Sequence, residues 1–219
     1  NPTGRVFTRE ELTRMGNLCI KHHVTVIADE IHQDVVYSGH KHIPFASICP
    51  EFAEITVSFM NPSKTFNVPG FRTAAFIASN PVLKSAVHEM LVNNKAIGEN
   101  ICGTIAFYTA YEQCDYYADQ LVAYLEKNRD LVEQTLKDVP GIEVTHAEGT
   151  YLLWLDCRGL GFESQKALDK WLVEIAKLGF NSGMSFGPEG EGYARMNIAA
   201  PRSTVEEALH RLTNAVKAL

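Results

Sequence analysis

The sequence predicts an α/β protein, with a β-α-β arrangement around a buried sheet in its first half and an α+β mix in its second. Three observations carry this. Short apolar, β-branched runs at residues 24–28, 55–60 and 73–78 end abruptly in polar residues, proline or glycine, as buried strands do. Stretches of helical apolar spacing lie between and after them. Near Cys114 the composition shifts to a long amphipathic stretch, followed by strands and helices in mixed order. The expected domains are therefore 1–115 and 116–219, and no internal repeat is visible.

In order, Thr8 and Glu11 form a capping box ahead of Leu12, Met15, Leu18 and Cys19, predicting a helix to about His22. Val24–Ala28 reads as a strand buried on both faces that ends in Asp29-Glu30. Residues 30–54 carry turn signals and little periodicity. Ile55–Met60 is the next strand, then a loop from Asn61 to Arg72, then a strand at Thr73–Ala78. Helices are expected from Pro81 to about Asn93 and over Ile101–Gln113. Residues 115–138 form a long amphipathic helix stopped by Pro140-Gly141. Strands at 142–144 and 151–155, a helix from Ser164 to about Leu178, a strand at 193–198 and a last helix capped by Thr204 and Glu207 complete the reading.

The 219 residues can bury a core, and 46% hydrophobic with 21% charged content is ordinary for a soluble globular protein. A net charge of −6 gives no electrostatic footprint for nucleic acid. No apolar run approaches the roughly 18 residues that span a membrane, and no signal peptide is read at the start. Five widely spaced cysteines, mostly in apolar runs, fit reduced core thiols of a cytoplasmic protein better than disulfides or a zinc cluster. Asn1-Pro2-Thr3-Gly4 is turn chemistry without a methionine, so the sequence is expected to start mid-protein.

Lys64 stands where a strand delivers side chains to the carboxyl edge of a sheet, the edge at which ligands bind in open α/β sheets. By itself it reads as a catalytic amine or as a solvated surface lysine. Asp29 closes another strand and should project from the same edge. The pair is either a structural salt bridge or a pyridoxal-phosphate site, in which a lysine holds the cofactor as a Schiff base and a carboxylate faces the ring nitrogen. The carboxylate would favour the protonated nitrogen, cationic Arg72 would help expose a neutral lysine amine, and Arg72 with Ser63 could hold the phosphate.

Among the histidines, His22-His23 suit a helix end, and His40-Lys41-His42 reads as a solvated loop. His32, His40 and His42 lack zinc-like spacing, so no metal is expected. His32 follows Asp29 by three residues and would share its side if the segment turns helically. Strict alternation puts Arg195 on the strand face opposite Met196 and Ile198. That leaves it exposed or, more sharply, bound to a ligand carboxylate.

Asn1-Pro2-Thr3-Gly4, Asp29-Glu30-Ile31-His32, Ser63-Lys64-Thr65-Phe66-Asn67 with Arg72, and Arg195 resemble, in order and spacing, fold-type-I pyridoxal-phosphate enzymes of the class I/II aminotransferase superfamily. His40–Phe45, Gly149–Arg158 and Phe186–Gly192 narrow the resemblance to the MalY/PatB-type cystathionine β-lyase (carbon–sulfur lyase) branch. The resemblance implies that 1–115 is the C-terminal portion of a cofactor-binding large domain with a mostly parallel sheet, and 116–219 a smaller α+β domain. It implies Lys64 as Schiff-base lysine and proton-transfer base, Asp29 at the pyridine nitrogen, Asn1 and His32 near the phenolic oxygen, Ser63 and Arg72 at the phosphate, and Arg195 on the substrate carboxylate. The last role reverses the exposed-face reading.

The implied reaction is β-elimination on cystathionine or a related S-substituted cysteine, giving a thiol, pyruvate and ammonia, in a homodimer. An aminotransferase on the same scaffold, or a truncated fragment without cofactor, are the alternatives. Departures from the family pattern are His32 where tyrosine is common, Asn61 where serine or glycine is usual, and the absence of the family's N-terminal half.

Overall fold

The computed structural model describes residues 1–96, 98 and 100–219. They group into two compact units. The lysine unit comprises Val6–Val36 and His40–Leu121; the arginine unit comprises Asn1–Arg5, Tyr37–Gly39 and Val122–Leu219.

The lysine unit opens with α1 (Arg9–Lys21) behind the expected capping box. The Thr8 amide donates to Glu11 Oε2 (2.8 Å) and the Glu11 amide to Thr8 Oγ1 (3.2 Å), pairing donors that a helix start leaves unsatisfied. Then come β1 (Val26–Asp29), α2 (Pro50–Glu54), β2 (Thr56–Met60), β3 (Ala75–Ile77), α3 (Pro81–Asn93) and α4 (Ile101–Gln113). Asn80 caps α3 through the Val82 amide (2.8 Å), and Asn100 caps α4 through the Gly103 amide (3.1 Å).

The sheet order is β1-β2-β3, with β1 parallel to β2 and β3 antiparallel to β2. The expected burial of the first strand on both faces is corrected. β1 is an edge strand of this sheet, so Val26 and Ala28 pack on the Leu12–Phe45–Phe52 core while Ile27 is 73% exposed.

Residues 30–54 also hold more structure than their lack of periodicity suggests. Phe45 starts a short 3₁₀ turn, Phe52 lies in α2, and their rings stack with centroids 5.3 Å apart. Elements this short contribute one aromatic anchor each, too little for a period to show. Nor is His42 the solvated residue expected. Its Nε2 lies 3.7 Å from Glu30 Oε1, and the same oxygen accepts the Phe45 amide at 2.9 Å. Burial raises the Glu30 pKa, but the interactions with His42 and the Phe45 amide outweigh it and hold the carboxyl below its ordinary value.

The long helix α5 (Asp115–Leu136) runs across the division between Leu121 and Val122. The composition shift near residue 115 thus marks the break between α4 and α5, while the compact units divide inside α5. The arginine unit continues with β4 (Glu143–Val144), β5 (Leu152–Asp156), α6 (Gln165–Glu174), β6 (Asn181–Ser182), β7 (Tyr193–Asn197) and α7 (Arg202–Lys217).

Its sheet is antiparallel throughout, in the order β4-β5-β7-β6. Leu153 and Leu155 pair with Met196 and Ala194 on one face, all four at 2% exposure or less. Trp154 pairs with Arg195 on the other. Residues 37–39 belong to this unit because buried Tyr37 donates its hydroxyl to the Thr150 carbonyl (2.5 Å) and carries the Arg129 guanidinium 4.6 Å over its ring. Arg129 in turn donates to the Ala147 carbonyl (2.9 Å) and pairs with Asp130 (2.6 Å).

One sequence expectation fails in this unit, and one strand is not among those expected. α7 starts at Arg202, directly after Pro201, so Thr204 sits in its first turn and caps nothing; Glu207 instead pairs with Arg211 at 2.7 Å. β6, only two residues long, is too short to carry a strand signal in the sequence. Among the five free cysteines, Cys157 is buried, and burial pushes its thiol up to about 12; Cys102 is exposed rather than in a core.

Two measurements test this packing. Leu153→Ala leaves a cavity in a fully buried site and should cost about 2–5 kcal/mol, whereas exposed Val173→Ala should stay within about 0.5 kcal/mol. Both tryptophans, Trp154 and Trp171, lie in the arginine unit, so their fluorescence in urea reads this comparison directly. For Glu30, whose folded pKa lies below its ordinary 4.5, the stabilisation is present above that value and lost as pH falls through the lowered one. Thermal unfolding should show Glu30→Gln less stable at neutral pH, with a flatter decline below about pH 4.5 than the wild type; parallel declines would contradict the assignment.

Candidate functional site

The parallel pairing of β1 with β2 sets Ala28 beside Ser58 and Asp29 beside Phe59, so both strands end at one edge of the sheet. Asp29 closes β1 there, exposed, with Oδ1 accepting the Ile31 amide at 3.3 Å. His32, half-buried, follows in a segment of turns, in which the Gln33 amide bonds the Glu30 carbonyl and the Val35 amide the His32 carbonyl, each at 3.0 Å.

Beyond β2 the chain enters the lysine loop. Asn61 Oδ1 accepts both the Ser63 amide (2.9 Å) and the Ser63 hydroxyl, an Asx turn that explains asparagine at this position. The Phe66 amide closes on the Pro62 carbonyl at 2.8 Å. Lys64 lies between these two bonds, half-buried, and its ammonium makes no hydrogen bond or ion pair among the described residues. Of the two readings of Asp29 and Lys64, a structural salt bridge is therefore not what the structure forms.

Three residues from outside the loop, Asp34, Tyr111 and Tyr117, brace it, and the sequence gives them no part in the site. Thr65, fully buried, donates its hydroxyl to Asp34 Oδ2 at 2.9 Å, and the Tyr111 hydroxyl reaches the same oxygen at 3.3 Å. Burial and the adjacent Asp34 charge raise the Tyr111 pKa. Phe66 packs edge-on against Tyr111 (5.6 Å) and stacks on Tyr117 (6.0 Å). No local signal joins Asp34 to Thr65, which lie 31 residues apart.

Arg72 ends the short turn at 69–71 with φ 50°, a left-handed conformation uncommon outside glycine. The turn is fixed from α4, where the Asn100 side chain donates to the Phe71 carbonyl at 2.6 Å. Arg72 itself is exposed. The lysine unit thus carries a carboxylate, a histidine, a hydroxyl, a guanidinium and an unengaged amine on one sheet edge and the loops leaving it.

Arg195 and Asn1 lie together in the arginine unit. Arg195 NH1 donates to Asn1 Oδ1 and NH2 to Asn181 Oδ1, each at 2.9 Å. Alternation along β7 does place Arg195 opposite buried Ala194 and Met196, but its guanidinium is covered rather than free in solvent. It lies 4.7 Å over the Phe186 ring, and Trp154 contacts both Phe186 (5.4 Å, edge-on) and Tyr193 (5.2 Å, stacked). Its Nε is buried without a hydrogen-bond partner.

Burial lowers the Arg195 pKa, and Tyr151 acts in the opposite direction. A guanidinium stays charged at neutral pH regardless. Among the described residues no carboxylate pairs with it. A partly buried cation with two neutral acceptors and an orphaned donor suits a carboxylate from outside the unit.

Asn181, Phe186 and Trp154 join the site, although the sequence assigns none of them a role there; Trp154 and Phe186 stand in motifs that carry only the resemblance. Asn181 lies on a two-residue strand, Trp154 within an apolar run reads as core, and Phe186 stands in a glycine- and proline-rich loop. The glycines of the following loop are required sterically: a Cβ on Gly183 would stand 2.0 Å from the Gly190 carbonyl oxygen.

Over 217 residues the chain is 36% identical to cystathionine beta-lyase PatB of Bacillus subtilis, covering 99% of this chain and 56% of that protein. It is 34% identical to protein MalY of Escherichia coli, covering 100% of this chain and 56% of that protein. Among solved structures, cystalysin from Treponema denticola, which contains a pyridoxal 5'-phosphate cofactor, superposes with a TM-score of 0.96 at 32% identity, covering 100% of this chain and 55% of that one. The chain spans about half the length of the curated relatives it matches. Residues 1–212 match the family described as aminotransferase class I and II, and the chain belongs to that family.

Proposed function

We propose that the chain binds pyridoxal phosphate and serves β-elimination on cystathionine or a related S-substituted L-cysteine, consuming water and giving a thiol, pyruvate and ammonia. The observation that carries this is the unengaged Lys64 amine on the sheet edge that Asp29 also reaches, in a member of the class I and II family. The donor set fits the cofactor. Lys64 would hold it covalently, Asp29 would face its ring nitrogen and favour the protonated form, and Ser63 and Arg72 would bind its phosphate. Asn1 and His32 would lie at its phenolic oxygen.

Bound there, the cofactor supplies a sink for the electron pair left at the substrate's α carbon. The chain's own residues do the rest. Arg195 binds and orients the substrate carboxylate, using a partly buried cation that no carboxylate of the described residues pairs. Lys64 takes the proton from the α carbon, and the sulfur leaves from the β carbon as thiolate. Phe186, over which the Arg195 guanidinium lies, shields one face of it from water, which would strengthen its hold on an anion. The 36% identity to cystathionine beta-lyase PatB, above the 28% and 25% to two aspartate aminotransferases, supports elimination over amino-group transfer. We also read residues 1–115 as part of the cofactor-binding domain, 116–219 as the small domain, and the assembly as a cytoplasmic homodimer. No helix of the described residues is long and apolar enough to cross a membrane.

The test is incubation of the protein and pyridoxal phosphate with cystathionine and no added keto acid. Pyruvate and free thiol should appear in equal amounts. Lys64→Ala should reduce their rate by at least about 10²–10⁴-fold, and Arg195→Ala should lower kcat/KM roughly 10- to 100-fold, the loss of charged hydrogen bonds. Amino-group exchange that requires a keto acid, without pyruvate from cystathionine, would establish the aminotransferase reading instead.

A further inference from the structure

We propose that Asp34 is a positioning residue for Lys64, acting through the hydroxyl of Thr65 and steadied by Tyr111; this rests on the reading of Lys64 as the cofactor-binding amine. The lysine loop has no ladder hydrogen bonds of its own between Met60 and Pro69. Three hydrogen-bonded ties hold it: the Asn61 side chain on Ser63, the Phe66 amide on the Pro62 carbonyl, and the Thr65 hydroxyl on Asp34 Oδ2. Only the third reaches a distant part of the chain, and it attaches to the residue next to Lys64.

The chemistry of this tie suits the task. The Thr65 side chain is fully buried, so its hydroxyl must have a partner, and a carboxylate makes that bond charge-assisted. Asp34 is half-buried, and the Tyr111 hydroxyl donates to the same oxygen, fixing the carboxylate's own position. Phe66, on the other side of Thr65, is held between Tyr111 and Tyr117. Tyr111 therefore touches the device twice, through its hydroxyl to Asp34 and through its ring to Phe66. With the backbone pinned at 65 and 66, the Lys64 Cα has little freedom. A reacting group is useful only if held within a fraction of an ångström of its productive place.

Two readouts on the purified chain test this, using Thr65→Val (hydroxyl removed, shape kept), Thr65→Ser (hydroxyl kept), Tyr111→Phe and Lys64→Ala. The first is amide hydrogen exchange at residues 63–67, which needs no cofactor. The second is the rate at which the visible absorbance band of bound pyridoxal phosphate grows after mixing. Thr65→Val should speed exchange and slow the band by about 10-fold or more, with Thr65→Ser within about 3-fold of wild type on both. Tyr111→Phe should lie between them, and keeps the test available should Thr65→Val not fold. Exchange in Thr65→Val equal to wild type, or faster exchange with an unchanged band rate, overturns the positioning role. A band that persists in Lys64→Ala overturns instead the reading of Lys64, and is told apart because the exchange result does not depend on it.

Discussion

The parallel pairing of β1 with β2 is the constraint on which the lysine unit's chemistry depends. Parallel strands end at a common edge, and here the edge receives Asp29 from one strand and the lysine loop from the next. Antiparallel pairing would send the two residues to opposite ends of the sheet. Crossing back to run parallel takes the chain through residues 30–55, and that crossover is held by Phe45, Phe52 and the Glu30 carboxylate rather than by a long helix. The core beneath the crossover and the chemistry at the edge are thus consequences of one topology.

The arginine unit solves a different problem, keeping a cation partly buried without neutralising it. Had Asn1 or Asn181 been an aspartate, the guanidinium would be paired and of little use to an incoming anion. The two asparagines orient it with carbonyl oxygens and leave its charge uncompensated, and Phe186 covers one face of it. Asn1 holds this place through the Asn1–Gly4 turn, whose Gly4 carbonyl accepts the Glu148 and Gly149 amides at 2.8 and 3.1 Å. Gly4 can make that approach because it has φ 72° and no Cβ; one added there would stand 2.8 Å from the Ala147 Cβ.

Legibility in the sequence followed the range of the interactions. The capping box of Thr8 and Glu11, the helix after Pro81 and the alternation that sets Arg195 against Met196 are local, and the sequence shows them. So are the carboxyl-edge addresses of Asp29 and Lys64. What stayed hidden is set by tertiary contact. Phe45 and Phe52 form a core from elements too short to show a period, and His42 reads as solvated until Glu30 is seen beside it. Asp34 and Thr65 lie far apart in sequence, and Asn181 gains its role only by standing opposite Arg195 in the sheet. The ordered motifs implied roles for single residues, but not the ties that hold those residues in place.

We propose Lys64, among all the lysines of the chain, as the amine that holds the cofactor. Reduction of the protein–pyridoxal-phosphate mixture with borohydride, followed by proteolysis and mass mapping of the modified peptide, tests it most directly. A single stoichiometric modification on Lys64 is expected. Modification spread over exposed lysines such as Lys21 and Lys41, with Lys64 no more reactive than they are, would contradict it.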